Sequence, residues 1–145
     1  MAEQNKGASA FHHIELNVSN LHKSREFYEP IMEWLGWKFH YVVEGCRGWR
    51  KDGCGFYLVQ TDARFRDAGY HRKRTGLAHV AFTVPTHQEV DRFTDEVLKP
   101  RGIPTLYKSP MEDANYENGY RTVYFEDPDR IKIEIVHSND ADGND

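Results

Sequence analysis

Cysteine is nearly missing from this chain. Cys46 and Cys54 are its only two, and neither their number nor their spacing makes a disulfide scaffold, a zinc finger or a redox pair. Free thiols in a cytoplasmic protein are the expectation. Long hydrophobic runs are missing as well: no stretch approaches the roughly 20 apolar residues of a membrane helix, and the N-terminus carries no apolar signal core. An excess of positive charge is also lacking. The formal net charge is −4, and without the three negative charges of Asp140, Asp142 and Asp145 the body stands near −1. No basic face of the kind that binds nucleic acid is implied. What remains is 145 residues with 13% aromatic and 29% charged side chains. That suits one compact globular domain, or two small halves sharing a core, and excludes a disordered chain.

What is present is a repeated strand. Residues 77–84 are β-branched and aromatic, with Val80, Phe82 and Val84 on one face and His79, Ala81 and Thr83 on the other. Residues 11–18 have the same pattern: Ile14, Leu16 and Val18 against His13, Glu15 and Asn17. The shift that carries His13 onto His79 also carries Ile14 onto Val80, Leu16 onto Phe82 and Val18 onto Val84. Further on it carries Phe27 onto Phe93, Ile31 onto Val97, Met32 onto Leu98 and Gly36 onto Gly102. A strand–helix unit is therefore duplicated, with a histidine at the same place in each copy.

The order of elements repeats too. Ser19 or Asn20 can cap a helix bearing Leu21, Phe27, Ile31, Met32 and Leu35, bent at Pro30 and stopped by Gly36. A strand over 37–43 follows, then a hairpin of 48–50 with 55–60 around the Asp52-Gly53 turn signal. Residues 61–75 form a charged connector, a linker or a surface lid. In the second half Thr86 and Glu89 make a capping box before Val90, Phe93, Val97 and Leu98, and Gly102 ends that helix. A short strand at 104–107, a long loop at 108–118 and strands at 120–126 and 131–137 complete it. Each half reads as β-α-β-β-β, giving an α+β chain with modules at 11–61 and 76–138.

Alternation then assigns faces. Ile131, Ile133 and Ile135 join Val123 and Phe125 on the helix-covered side, leaving Thr122, Tyr124, Glu126, Lys132 and Glu134 on the other. If both sheets curve around one cavity, its lining includes His13, Glu15, His79, Tyr124 and Glu134.

These residues resemble the vicinal-oxygen-chelate superfamily of glyoxalases, fosfomycin-resistance proteins and extradiol dioxygenases. The resemblance is carried by Phe11, His12, His13 and Ile14; by Phe27 and Tyr28 followed by Leu35 and Gly36; by Gly76 to Ala81; and by the run from Tyr124 through Asp127, Pro128 and Asp129 to Glu134. It spans about 11–138 and implies a glyoxalase-like fold, two modules forming a curved mixed sheet around a metal-binding cavity. It also implies the ligand set. The family places ligands on the first strand of each module and the last strand of a module, which here are His13, His79 and Glu134. Two imidazoles and a carboxylate leave open positions for a chelating substrate and suit Fe, Mn, Zn or Ni. The matching strand of the first half offers Tyr57 and Val59 but no carboxylate, unlike four-ligand glyoxalases. Arg130 stands where the family usually has glycine.

The resemblance leaves the reaction open. It implies a small substrate binding through adjacent oxygens, with isomerisation, epoxide opening or thiol addition as outcomes, in a lyase, isomerase or transferase. Glu15, on the face of His13, can serve as a base or be held in a salt bridge. Tyr124 matches a tyrosine that extradiol and fosfomycin proteins both carry. Extradiol enzymes also need a histidine shortly before that tyrosine, and 116–118 holds none, which counts against ring cleavage. A sequestering protein of the bleomycin-resistance kind is the non-catalytic alternative; such proteins typically lack the ligands that His13, His79 and Glu134 supply. The remaining histidines, His12 on the opposite face among them, are read as structural or surface groups. Because the family often closes its cavity with modules from two chains, a cytoplasmic homodimer is expected, with His13 supplied in trans, and neither nucleic acid nor membrane as partner.

Overall fold

The structure is a computed structural model that describes residues 11–112 and 119–139. The chain divides into two units, the first ending at Ala68 and the second beginning at Gly69.

The first unit runs β1 (His13–Val18), α1 (Leu21–Trp34), β2 (Lys38–His40), β3 (Cys46–Lys51) and β4 (Cys54–Gln60). Its sheet has the order β1-β4-β3-β2, with β1 and β4 parallel and the other pairs antiparallel. Asn20 caps α1 by accepting the Lys23 N–H on its side chain, the role its short amide suits. At the far end Gly36 takes φ +77°, open to glycine without strain, and Lys51 Nζ donates to the Leu35 carbonyl at 2.7 Å. Tyr28, Ile31 and Met32 are fully buried, and each such side chain contributes about 1.5–3 kcal/mol of burial. Tyr28 packs on Phe56 with ring centroids 5.5 Å apart, and Trp49 stacks on Phe56 at 6.3 Å. Tyr28 thus takes the inward place expected of Phe27, which is only half-buried. The β3–β4 hairpin turns on Asp52 and Gly53, both at positive φ, as a tight primed turn requires. The strand expected over 37–43 shrinks to three residues. It pairs only with Gly48–Arg50, and Tyr41 and Val43 beyond it are exposed. Within the connector, Ala63–Ala68 makes a 3₁₀ turn with no buried residue.

The second unit repeats the order with β5 (His79–Thr83), α2 (His87–Phe93), a π-turn over Thr94–Leu98, β6 (Thr105–Glu112), β7 (Arg121–Glu126) and β8 (Lys132–His137). Its sheet, β5-β8-β7-β6, has the same pairing logic, with β5 and β8 parallel. The N-cap half of the expected capping box forms, the Thr86 hydroxyl accepting the Glu89 N–H at 3.2 Å, while the Glu89 carboxylate takes a bond from Arg92 at 2.6 Å. Val90, Phe93, Val97 and Leu98 are buried on the helical side, as are Val123, Phe125, Ile133 and Ile135 of the sheet. Phe93 meets Phe125 at 5.7 Å.

The expected short strand at 104–107 is instead long. β6 continues to Glu112 across an irregularity between Leu106 and Met111, where Tyr107 and Lys108 both take φ +57°. The Ser109 hydroxyl spans the break, donating to the Leu106 carbonyl at 2.6 Å and accepting the Tyr124 N–H at 2.9 Å. It restores the ladder bonds that the bulge removes. Of the loop expected over 108–118, residues 113–118 lie outside the described residues.

Candidate functional site

In the second unit the parallel register sets His79 opposite Lys132 and Ala81 opposite Glu134. His79 and Glu134 are therefore diagonal neighbours on the face away from α2. Glu134 is 1% exposed, and a carboxylate buried so deeply must be fully hydrogen-bonded or paired. Its Oε1 accepts the Tyr120 hydroxyl at 2.6 Å and the Thr122 hydroxyl at 2.8 Å. Its Oε2 lies 3.0 Å from His79 Nε2, and the His79 side chain is 36% exposed. One oxygen is saturated by hydroxyls, and the other is turned toward an open imidazole. Tyr124, the direct cross-strand neighbour of Glu134, stands edge-on to His79 at 6.2 Å and to Tyr107 at 5.5 Å. Lys132 Nζ lies 5.3 Å from the Tyr124 ring centre, a cation–π distance.

The first unit presents the equivalent face differently. His13 is exposed at the start of β1, and its Nδ1 meets His12 Nδ1 at 2.7 Å. His12 does not take the opposite face expected from alternation. It precedes the strand, where the period of two no longer holds, and its ring turns back to His13. Glu15 is exposed beside Tyr57, its partner in the β1–β4 register. Tyr57 occupies in this sheet the place that Glu134 has in the other. Its ring lies so close over Gly48 and Gly55 that a Cβ there would fall 2.1 Å and 2.5 Å from ring atoms. Two glycines thus let an aromatic ring lie flat on the sheet. The Tyr57 hydroxyl accepts from Arg50 Nη1 at 3.3 Å and is 3.2 Å from His40 Nδ1, while His13 stands edge-on to the ring at 5.6 Å. Cys46, a free thiol beside Glu15, is partly buried. Burial pushes its thiol pKa up, and the Glu15 charge pushes it further.

Of the residues singled out in the sequence, His79, Glu134 and Tyr124 share one face of the second unit, and His13 and Glu15 share one face of the first. Among the described residues no three His, Cys, Asp or Glu side chains are clustered so as to hold a metal ion. His79 and Glu134 nevertheless fit two positions of such a site. Ligands each about 2.1 Å from one ion and at right angles stand about 3.0 Å apart, the separation seen here. The Tyr120 and Thr122 hydroxyls would hold such a carboxylate in a fixed orientation. Tyr120 was not foreseen, although it shares the parity of Thr122 and Tyr124; it lies just before the first residue of β7.

The comparisons with known proteins agree with this architecture. The family model for the Glyoxalase/Bleomycin resistance protein/Dioxygenase superfamily matches residues 10–135. The chain belongs to that superfamily. An uncharacterised Bacillus subtilis protein, YqjT, is 38% identical over 125 residues, covering 86% of this chain and 96% of its own. A candidate glyoxalase of known crystal structure from Bacillus halodurans is 37% identical, with a TM-score of 0.79 over 88% of this chain and 94% of that one. The fosfomycin resistance protein FosX from Listeria monocytogenes shares the fold, with a TM-score of 0.65 and 21% identity over 90% of this chain and 92% of its own. The expected α+β, glyoxalase-like class is thereby borne out.

Proposed function

We propose that this superfamily member is a divalent-metal-dependent enzyme acting on a small substrate that binds through adjacent oxygens. The observation that carries the reading is the His79–Glu134 pair: a buried carboxylate anchored on one oxygen by two hydroxyls, with its other oxygen 3.0 Å from an open imidazole. His79, Glu134 and His13 would hold the ion, with Fe, Mn, Zn and Ni all compatible with that donor set. The modules at 11–61 and 76–138 would make one glyoxalase-like domain. When bound, the ion supplies Lewis acidity that stabilises negative charge developing on a substrate oxygen. Glu15 takes the substrate proton, and Tyr124 orients the substrate beside His79. The reaction class is isomerisation, epoxide opening or thiol addition. No helix of the described residues is long and apolar enough to cross a membrane, and Cys46 and Cys54 are free.

The test is elemental analysis of protein purified without chelators, and again after loading with each of the four metals. Near-stoichiometric metal is expected in the wild type and a loss of it in His79→Ala and Glu134→Ala. Wild-type protein that stays metal-free after loading, or variants that bind as well as it does, would sink the proposal.

A further inference from the structure

The second unit contains a cavity of about 250 Å³ lined by Tyr70, His71, Arg72, Lys73 and Arg130. That is slightly smaller than the roughly 300–1,000 Å³ of pockets for drug-sized ligands, so the occupant it suits is small. Four of the five lining residues are basic or can become so. Glu126 is the carboxylate set among them: it takes a hydrogen bond from Arg72 Nη1 and lies 3.5 Å from Arg130 Nε. Burial raises the Glu126 carboxyl, but that bond and the two guanidinium charges more than offset it and hold its pKa below the ordinary value. Glu126 is thus paired with two of the cations, Arg72 and Arg130. Asp127 also stands near, since its charge helps burial to raise the Tyr70 phenol pKa, while its Oδ1 accepts the N–H groups of Asp129 and Ile131 within the turn. Each guanidinium has five N–H donors, so a shared carboxylate leaves donors available.

Local hydrogen bonds shape the walls, with His71, Lys73 and Arg130 themselves exposed. The Arg74 N–H donates to the His71 carbonyl at 2.9 Å, and the Lys73 N–H lies 3.1 Å from His71 Nδ1, which fixes the bend that carries Arg72 and Lys73. The Tyr70 hydroxyl donates to the Leu77 carbonyl at 2.7 Å and pins the ring. Burial pushes that phenol's pKa up, so it remains a neutral donor. Arg130 is the telling residue. It sits at φ +63°, a conformation natural to glycine and costly for a long side chain.

We propose that this cavity binds a phosphate group, free or as a phosphomonoester, with Arg72, Lys73 and Arg130 as its cationic wall. Arginine forks match the oxygens of phosphate bidentately, and Lys73 adds a point charge. Titration calorimetry of the full chain at low salt, with inorganic phosphate and with glycerol 1-phosphate, tests it; acetate is the control anion. Saturable binding of phosphate, or of the ester alone, is expected. Preference for the ester identifies an esterified ligand, and equal affinity a free one. Arg130→Gly should weaken binding roughly 10–100-fold, the loss of one charge-assisted contact, while melting at the same or a higher temperature because glycine relieves the turn. Lys73→Met should weaken it as well. The proposal is overturned if neither phosphate saturates at millimolar concentration, if acetate binds equally well, or if Arg130→Gly binds as the wild type does.

Discussion

Glu134 shows how a single side chain is prepared. A buried anion is costly unless its lone pairs are occupied, and here Tyr120 and Thr122 occupy those of one oxygen. Tyr120→Phe leaves the ring and removes the donor. Metal affinity, measured by competition with a chromogenic chelator, should fall roughly 10–100-fold, as for lost outer-shell contacts, and unchanged affinity would mean that Thr122 alone suffices. Glu15 is a different case: it is exposed, and among the described residues no side chain is seen to hold it. If it is the base, Glu15→Gln should retain metal and lose turnover on the order of 10²–10⁴-fold. His79→Ala should lose both together. Full activity in Glu15→Gln would assign the proton to another group. Glu126 gives the pH dependence. Its folded pKa lies below the ordinary 4.5, so its stabilising effect is present above that value and is lost as pH falls through the folded one. The melting temperature of Glu126→Gln should therefore trail the wild type near neutrality, and the gap should close in acid.

Among the elements, the helices follow rules readable in the chain, and the β6 edge does not. Asn20 and Thr86 cap α1 and α2 through local hydrogen bonds. Asn20→Ala should lower stability by about 1 kcal/mol, which denaturant unfolding resolves. β4 and its neighbours depend instead on a long-range fit, the Tyr57 ring over Gly48. Gly48→Ala should cost about 1–3 kcal/mol or displace that ring. A crystal structure of the variant with Tyr57 unmoved would contradict this. Tyr107 and Lys108 read as a strand end followed by loop, yet Ser109 carries the strand onward by bonding to Tyr124 across the sheet. Nothing local announces a hydroxyl that serves a neighbouring strand.

At the scale of the molecule, two units repeat one topology, β1-β4-β3-β2 and β5-β8-β7-β6, with marginal strands that have one open side among the described residues. Unpaired strand edges favour association with a second copy, and we propose a homodimer in which His13 of one chain completes the site of the other. Light scattering at micromolar concentration should give twice the mass of 17.0 kDa. A monomer would remove the in-trans donor.

The chain's own order of residues was enough for the duplicated β-α-β-β-β pattern, the Thr86 cap, the hairpin turn and the two sheet faces, and it narrowed the α1 cap to Ser19 or Asn20. Each of these follows from periodicity or from a bond spanning few residues, and so is written locally. Val80, Phe82, Ile133 and Ile135 could only point one way once their strands were recognised. Tertiary structure alone decided what depends on distant neighbours. Tyr120 reaches Glu134, His12 turns to His13 rather than away, Ser109 mends β6, and Arg130 with Arg72 lines a basic cavity. In each case the partner is set by register and by the path of the chain, and no spacing along the sequence encodes either.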